Sequence, residues 1–282
     1  MILTAQNISY WIGQRPILHK LSFAIQPGAL TVVLGQNGAG KSTFLKILSG
    51  EQKPTMGQVL LNNQVLHTIP VQKLATMRAV LSQQYSSGLL FNCDEIVLMG
   101  RYPHFRSRPS AADHAIVQES MEEMQVQHLA RRSYQSLSGG EQQRVQLARV
   151  LAQLKEIPAI KPGRSYGRTD GVQKLLLLDE PTASMDCLYQ QLCLSKAKEL
   201  AGKGYTVVVI LHDLNLAAQF ADTILLLKNG CLVKSGPARE VLQPAFISEA
   251  YNMEVDILES GAYDFPILIP ASHKNKPVLV RS

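Results

Sequence analysis

With 282 residues, 46% of them hydrophobic and 18% charged, the chain has the size and balance of an ordinary globular protein of one large or two small domains. No apolar run approaches the roughly 18–20 residues of a membrane helix. The start Met1–Gln6 lacks the pattern of a secretory signal, so the chain is expected to stay in the cytosol. The formal charge of +6 gathers in residues 154–174 and in the tail from His273; with no interleaved aromatic residues it reads as a solvated loop and tail, and no nucleic-acid partner is expected.

The first thirty residues read as two strands, Ile2–Tyr10 and Ile17–Ile25, joined by the turn Gly13-Gln14-Arg15-Pro16. A buried strand follows at Leu30–Leu34, and then the loop Gly35-Gln36-Asn37-Gly38-Ala39-Gly40-Lys41-Ser42-Thr43. Its glycines let consecutive N–H groups point at anionic oxygens, and a helix starting near Lys41 adds the positive end of its dipole. Lys41 can reach the β- and γ-phosphates of a nucleotide, and Ser42 can offer a hydroxyl to Mg²⁺.

Gly50 ends that helix, and Val59–Leu61 and Ala79–Leu81 read as further strands. From about 94 to 152 the apolar spacing becomes helical, which predicts an inserted all-helical subdomain whose last helix starts at Ser138. Proline and glycine make 154–173 a loop. The apolar runs Leu175–Leu178, ending in Asp179, and Thr206–Leu211 read as parallel strands covered on both faces, with Asp179 next to the phosphate-loop strand. A helix capped by Asp213 and a hairpin turned at Asn229-Gly230 complete an α/β core. The four cysteines lack metal-site spacing and read as reduced thiols partly buried in the core.

The landmarks now stand in order: the phosphate loop, Gln83, Leu137-Ser138-Gly139-Gly140-Glu141-Gln142-Gln143-Arg144, Leu175–Glu180 and His212. Here the chain resembles the ATPase subunits of ATP-binding cassette (ABC) transporters over nearly its whole length. The Leu-Ser-Gly-Gly-Glu-Gln signature separates them from other phosphate-loop ATPases. The resemblance implies a phosphate-loop NTPase fold in which an ABC ATPase domain spans 1–255, with an N-terminal antiparallel β subdomain, and a C-terminal tail covers 256–282.

ATP and Mg²⁺ are the implied ligands. Asp179 would hold Mg²⁺ through its water shell, and Glu180 would take the proton of the attacking water. By resemblance, Gln83 touches Mg²⁺ or that water, with Gln84 beside it as the other candidate, and His212 holds the γ-phosphate and the water. Ser138, Gly139 and Gly140 would form a second anion site facing the nucleotide of another subunit, and Ser184-Met185-Asp186 matches the dimer-contact loop. The family's adenine-stacking position is Ile12 here. Tyr10, on the same strand face, is the candidate for that role, or else a core aromatic.

Gly100-Arg101-Tyr102-Pro103-His104, Ala79–Gln84, Gly236–Leu242 and Ala250-Tyr251 look like importers of iron–siderophore complexes, haem and cobalamin. Leu151–Leu154 with its long following loop is most like the haem (hemin) importer ATPases; siderophore or cobalamin import is the alternative. The resemblance implies a homodimer at the cytoplasmic face of the inner membrane, bound to two permease subunits through the surface around Gln83–His104. An extracytoplasmic haem-binding protein would deliver cargo. The rival classes are a soluble ABC ATPase acting on DNA or ribosomes, which would need coiled-coil arms or a second cassette, and a phosphate-loop kinase, which leaves Ser138–Gln143 without a purpose.

Overall fold

The computed structural model describes residues 2–82, 91–157, 174–259, 261 and 263–271. The chain opens with β1 (Leu3–Ile12) and β2 (Arg15–Ile25), passes through β3 (Leu30–Leu34) into α1 (Lys41–Ser49), and continues with β4 (Met56–Leu61) and β5 (Gln64–Val65). Next come α2 (Val71–Met77), β6 (Arg78–Leu81), and the helices α3 (Cys93–Met99), α4 (Ala111–Glu123) and α5 (Gly139–Leu154). The second half holds β7 (Leu175–Asp179), α6 (Cys187–Gly202), β8 (Thr206–Ile210), α7 (Leu214–Phe220), β9 (Thr223–Lys228) and β10 (Cys231–Gly236). It ends with α8 (Ala238–Val241), α9 (Pro244–Tyr251), β11 (Val255–Leu258) and β12 (Ile267–Pro270).

The continuous apolar strands are explained by two cores. Successive residues of a strand point to opposite faces. Val32 and Leu34, Leu176 and Leu178, and Val207 and Val209 face one core with α3–α7. Val33, Leu175, Leu177, Val208 and Ile210 face a second core with α1 and the antiparallel sheet. Each strand is thus apolar on both sides because each side is covered.

The large sheet has the order β10-β9-β3-β8-β7-β6, parallel from β9 to β6, and the antiparallel sheet runs β2-β1-β4-β5. The expectation that Asp179 ends a strand beside the phosphate-loop strand is therefore corrected: β8 lies between β3 and β7. An apolar run says that a strand is buried, not which strand it pairs with. Asp179 still reaches the loop because α1 packs on β7, with Phe44 and Leu48 in one core with Leu175 and Leu177.

The first turn is tighter than the sequence suggested, confined to Gly13-Gln14, because β2 is an edge strand and tolerates Pro16. Residues 71–77 form a helix that the sequence reading missed. Residues expected only as a tail pair as β11 and β12 and bury Leu268 in the larger core. Lys174, expected in a solvated loop, is buried; its Nζ donates to Thr76 O at 2.8 Å and pairs with Glu156. Of the cysteines, Cys93 and Cys193 are buried and Cys187 and Cys231 are exposed, all as free thiols.

Candidate functional site: a glycine-rich loop beside a carboxylate–histidine pair

The loop from 35 to 40 is held open by two glycines. Gly35 has φ +151, and a Cβ there would lie 2.4 Å from Leu227 O. Gly40 has φ +95, and a Cβ would meet Leu18 Cδ2 at 2.7 Å. Any side chain would push the loop off β9 or β2. Gly40 is the N-cap of α1 and brings no side-chain cap, so the first-turn N–H groups remain for an anion at the helix mouth. From behind, the Asn229-Gly230 turn buttresses the loop, Gly230 N donating to Ala39 O at 3.0 Å.

Lys41 is buried, and its Nζ donates to Gly35 O at 2.7 Å and Gln36 O at 3.0 Å. Burial lowers the pKa of its ammonium against the opposing pull of Glu180 and Asp179. The Gln36 side chain turns outward and donates to Tyr251 O, while Gly35 N donates to Tyr251 Oη at 2.9 Å. Asn37 and Gly38 are exposed at the loop tip, and Ser42 and Thr43 are half-buried at the start of α1.

At the carboxyl end of β7 two adjacent acids part company. Asp179 is buried and accepts from the Ser42 hydroxyl. Burial pushes its carboxyl above the ordinary value, and Glu180 adds to that, while Ser42 and Lys41 act in the other direction. Its Oδ1 has no hydrogen-bond partner among the described residues. A buried, unpaired carboxylate oxygen beside a serine hydroxyl is a fitting donor set for a hard divalent cation such as Mg²⁺. Glu180 has φ +50, a left-handed backbone that turns its carboxylate the other way, onto His212 Nε2. His212 follows β8. The sheet order thus sets a base candidate and a histidine side by side next to Lys41 and Ser42.

Ser138 caps α5. Its side chain accepts from Glu141 N, and the Glu141 carboxylate accepts from Ser138 N at 2.8 Å and its hydroxyl at 2.9 Å. These two bonds hold the Glu141 carboxyl below the usual range. Ser138 and Gly139 are exposed, so the helix tip faces outward. The glycines serve packing too: a Cβ on Gly140 would sit 2.8 Å from Ser184 O, and one on Gly139 3.4 Å from Ser184 Cβ.

One expected site residue, Tyr10, is bonded outside the loop, and another lies outside the described residues. Tyr10 is half-buried against the smaller core, its hydroxyl accepts from Gln52, and it pairs across the strands with Leu18, the residue beside Gly40. Gln83 lies outside the described residues.

Other residues escaped the sequence reading as contacts. Tyr251 stood out only as part of a resemblance, and 216 positions separate it from Gly35, so no local signal connects them. Arg101 is fully buried and bonded to Asp113 Oδ1 at 3.0 Å and Ala152 O at 2.6 Å.

The pattern of the ABC transporter family matches residues 18–158. The hemin import ATP-binding protein HmuV of Gloeobacter violaceus (strain ATCC 29082 / PCC 7421) is 42% identical over 95% of this chain and 94% of its own. The chain belongs to the ABC transporter family. Within that family its fold is similar to a metal-chelate type ABC transporter in an inward-facing conformation, with TM-score 0.77 and 27% identity over 96% of this chain and 97% of that one. A dimeric bacterial ABC transporter cassette matches with TM-score 0.68 and 26% identity over 84% of this chain and 99% of that one. Like these cassettes, the ABC chain described here is an ATPase subunit; no helix among its described residues is long and apolar enough to cross a membrane.

Proposed function

We propose that this chain powers the import of haem, binding and hydrolysing ATP as the cytoplasmic-side subunit of a membrane importer. The observation that carries the hydrolytic part is the grouping of Lys41, Ser42, Asp179, Glu180 and His212 at the carboxyl ends of neighbouring strands. The choice of haem is supported by the likeness to the hemin import ATP-binding protein over nearly the whole chain. Ferric siderophore or cobalamin is the alternative cargo, and no residue of the site discriminates between them.

The loop N–H groups and Lys41 hold the triphosphate, and Lys41 exchanges its two loop carbonyls for phosphate oxygens. Glu180 accepts a proton from the attacking water, with His212 keeping the carboxylate aimed. Mg²⁺, held by Ser42 and Asp179, would neutralise charge on the phosphates. Gln83 is retained as a candidate for the same cluster.

The likeness to a dimeric cassette supports a homodimer in which the outward-facing tip of Ser138, Gly139 and Gly140 caps the nucleotide of the partner. Two permease subunits would dock around residues 83–104. There Tyr102 is exposed and stacks edge-on with Phe105 at 5.6 Å, anchored by the buried Arg101. An extracytoplasmic haem-binding protein would complete the system at the membrane.

The test is reconstitution of the chain with its permease in proteoliposomes. ATP-driven uptake of haem, but not of ferric siderophore or cobalamin, is the expected result. Uptake of either alternative reassigns the cargo, and ATPase stimulation by DNA rather than by permease rejects the importer reading.

A further inference from the structure

The C-terminal segment touches the nucleotide site at two separate points. The first is the loop entrance. Gly35 is where the chain leaves β3, and its N–H is taken up by the Tyr251 hydroxyl at 2.9 Å. In return the Gln36 side chain donates to the carbonyl of Tyr251, the last residue of α9 and one of the helix-end carbonyls that need a partner. Tyr251 and the first two loop residues therefore satisfy each other. Burial pushes the Tyr251 hydroxyl up to about 12, so it stays a neutral phenol able to accept the Gly35 N–H throughout the physiological range.

The second point lies on α7, which packs against β3 and β12. Asn215 grips β12 with both ends of its amide, Nδ2 donating to Leu268 O at 3.0 Å and Oδ1 accepting from Leu268 N at 2.8 Å. Asn215 sits in the first turn of α7, whose cap Asp213 follows directly on His212. Leu268 is buried in the larger core, so the grip bears on a fixed strand.

We propose that residues 244–270 are a positioning element for the ATPase site, with Tyr251 setting the phosphate-loop entrance and Asn215, through Leu268, setting the His212 turn. Neither residue touches substrate; each acts through a neighbour that does. The inference rests on the nucleotide reading of the loop given above.

The two contacts have different kinetic signatures. A loosened loop entrance weakens ATP binding in ground and transition states alike, raising KM and leaving kcat. A loosened His212 turn disturbs the aim of Glu180 and lowers kcat with binding intact. Tyr251→Phe keeps the ring and leaves Gly35 N–H without its acceptor; ATP affinity should fall about tenfold, with kcat within about twofold. Asn215→Ala should lower kcat about three- to tenfold with ATP affinity within about twofold. If Asn215→Ala does not fold, Asn215→Asp keeps the acceptor for Leu268 N and loses only the donor.

The measurements are titration of the purified full chain with a fluorescent ATP analogue and steady-state phosphate release, with thermal melts of each variant. If Tyr251→Phe leaves affinity unchanged, or if both variants alter binding and turnover in the same way, the segment serves stability alone and the proposal is overturned. Failure of the unaltered chain to bind the analogue would instead overturn the nucleotide reading itself.

Discussion

The Glu180 carboxylate and His212 Nε2 are hydrogen-bonded across the ends of β7 and β8, although 32 positions separate them. Parallel pairing aligns Asp179 with Ile210, so the residues just beyond each strand end meet at the same edge of the sheet. The left-handed backbone of Glu180 then rotates its side chain toward the histidine and away from Asp179.

Replacing Glu180 by Gln keeps the shape and a hydrogen bond to His212 but removes the proton acceptor. Turnover should fall by about 10²–10⁴-fold. ATP binding should persist, and the ATP-loaded variant should run as a dimer in light scattering. Wild-type phosphate release would take Glu180 out of the base role.

Lys41→Ala removes the ammonium that lies across the loop carbonyls. A charge-assisted contact of this kind is worth about 1.5–3 kcal/mol, so nucleotide affinity should drop by at least about tenfold. Fluorescent-nucleotide titration reads this directly, and unchanged affinity contradicts the cradle.

Gly35→Ala tests the loop rather than its charges. Its Cβ would overlap Leu227 O, in a backbone region that L-residues rarely adopt. A cost of about 3 kcal/mol or more is expected in urea denaturation, with nucleotide binding lost. Gly38→Ala, where a Cβ meets open space but φ is +81, should cost about 1–2 kcal/mol.

Arg101 and Asp113 form a buried pair in the helical insertion, and Arg101 also donates to Ala152 O at the end of α5. Asp113→Ala strands the guanidinium and should cost about 3–5 kcal/mol in chemical denaturation. Burial pushes the Asp113 carboxyl up, but bonds from Ser110 and Arg101 prevail and hold it below 3.8. A carboxyl lowered on folding stabilises the fold above its unfolded value and loses that contribution as pH falls through the folded one. The stability gap between wild type and Asp113→Asn should therefore be constant above about pH 5 and close in more acidic solution. A gap that persists unchanged to pH 2 would mean the pair is not ionic.

Much of this site was visible in local sequence. The phosphate loop, the Ser138 and Asp213 caps and the Asn229-Gly230 turn each depend on residues within about four positions, where steric limits and hydrogen-bond reach settle the outcome. Gly140 was read only as part of an anion site, because Ser184, the group that forbids a side chain there, lies 44 positions away.

The amino-acid order alone pointed to the buried strands β3, β7 and β8, the starts of α1, α5 and α7 and the groups that could meet a phosphate, because those outcomes follow from apolar runs, capping and glycine's freedom close along the chain. Only the tertiary structure decided that β8 separates β3 from β7, that the Tyr10 hydroxyl meets Gln52, and that Tyr251 and Asn215 bind the C-terminal segment to the site. The buried strands are chemically alike, so no residue within one names its neighbour. That choice is made by how all the strands and helices bury both faces of the sheet together.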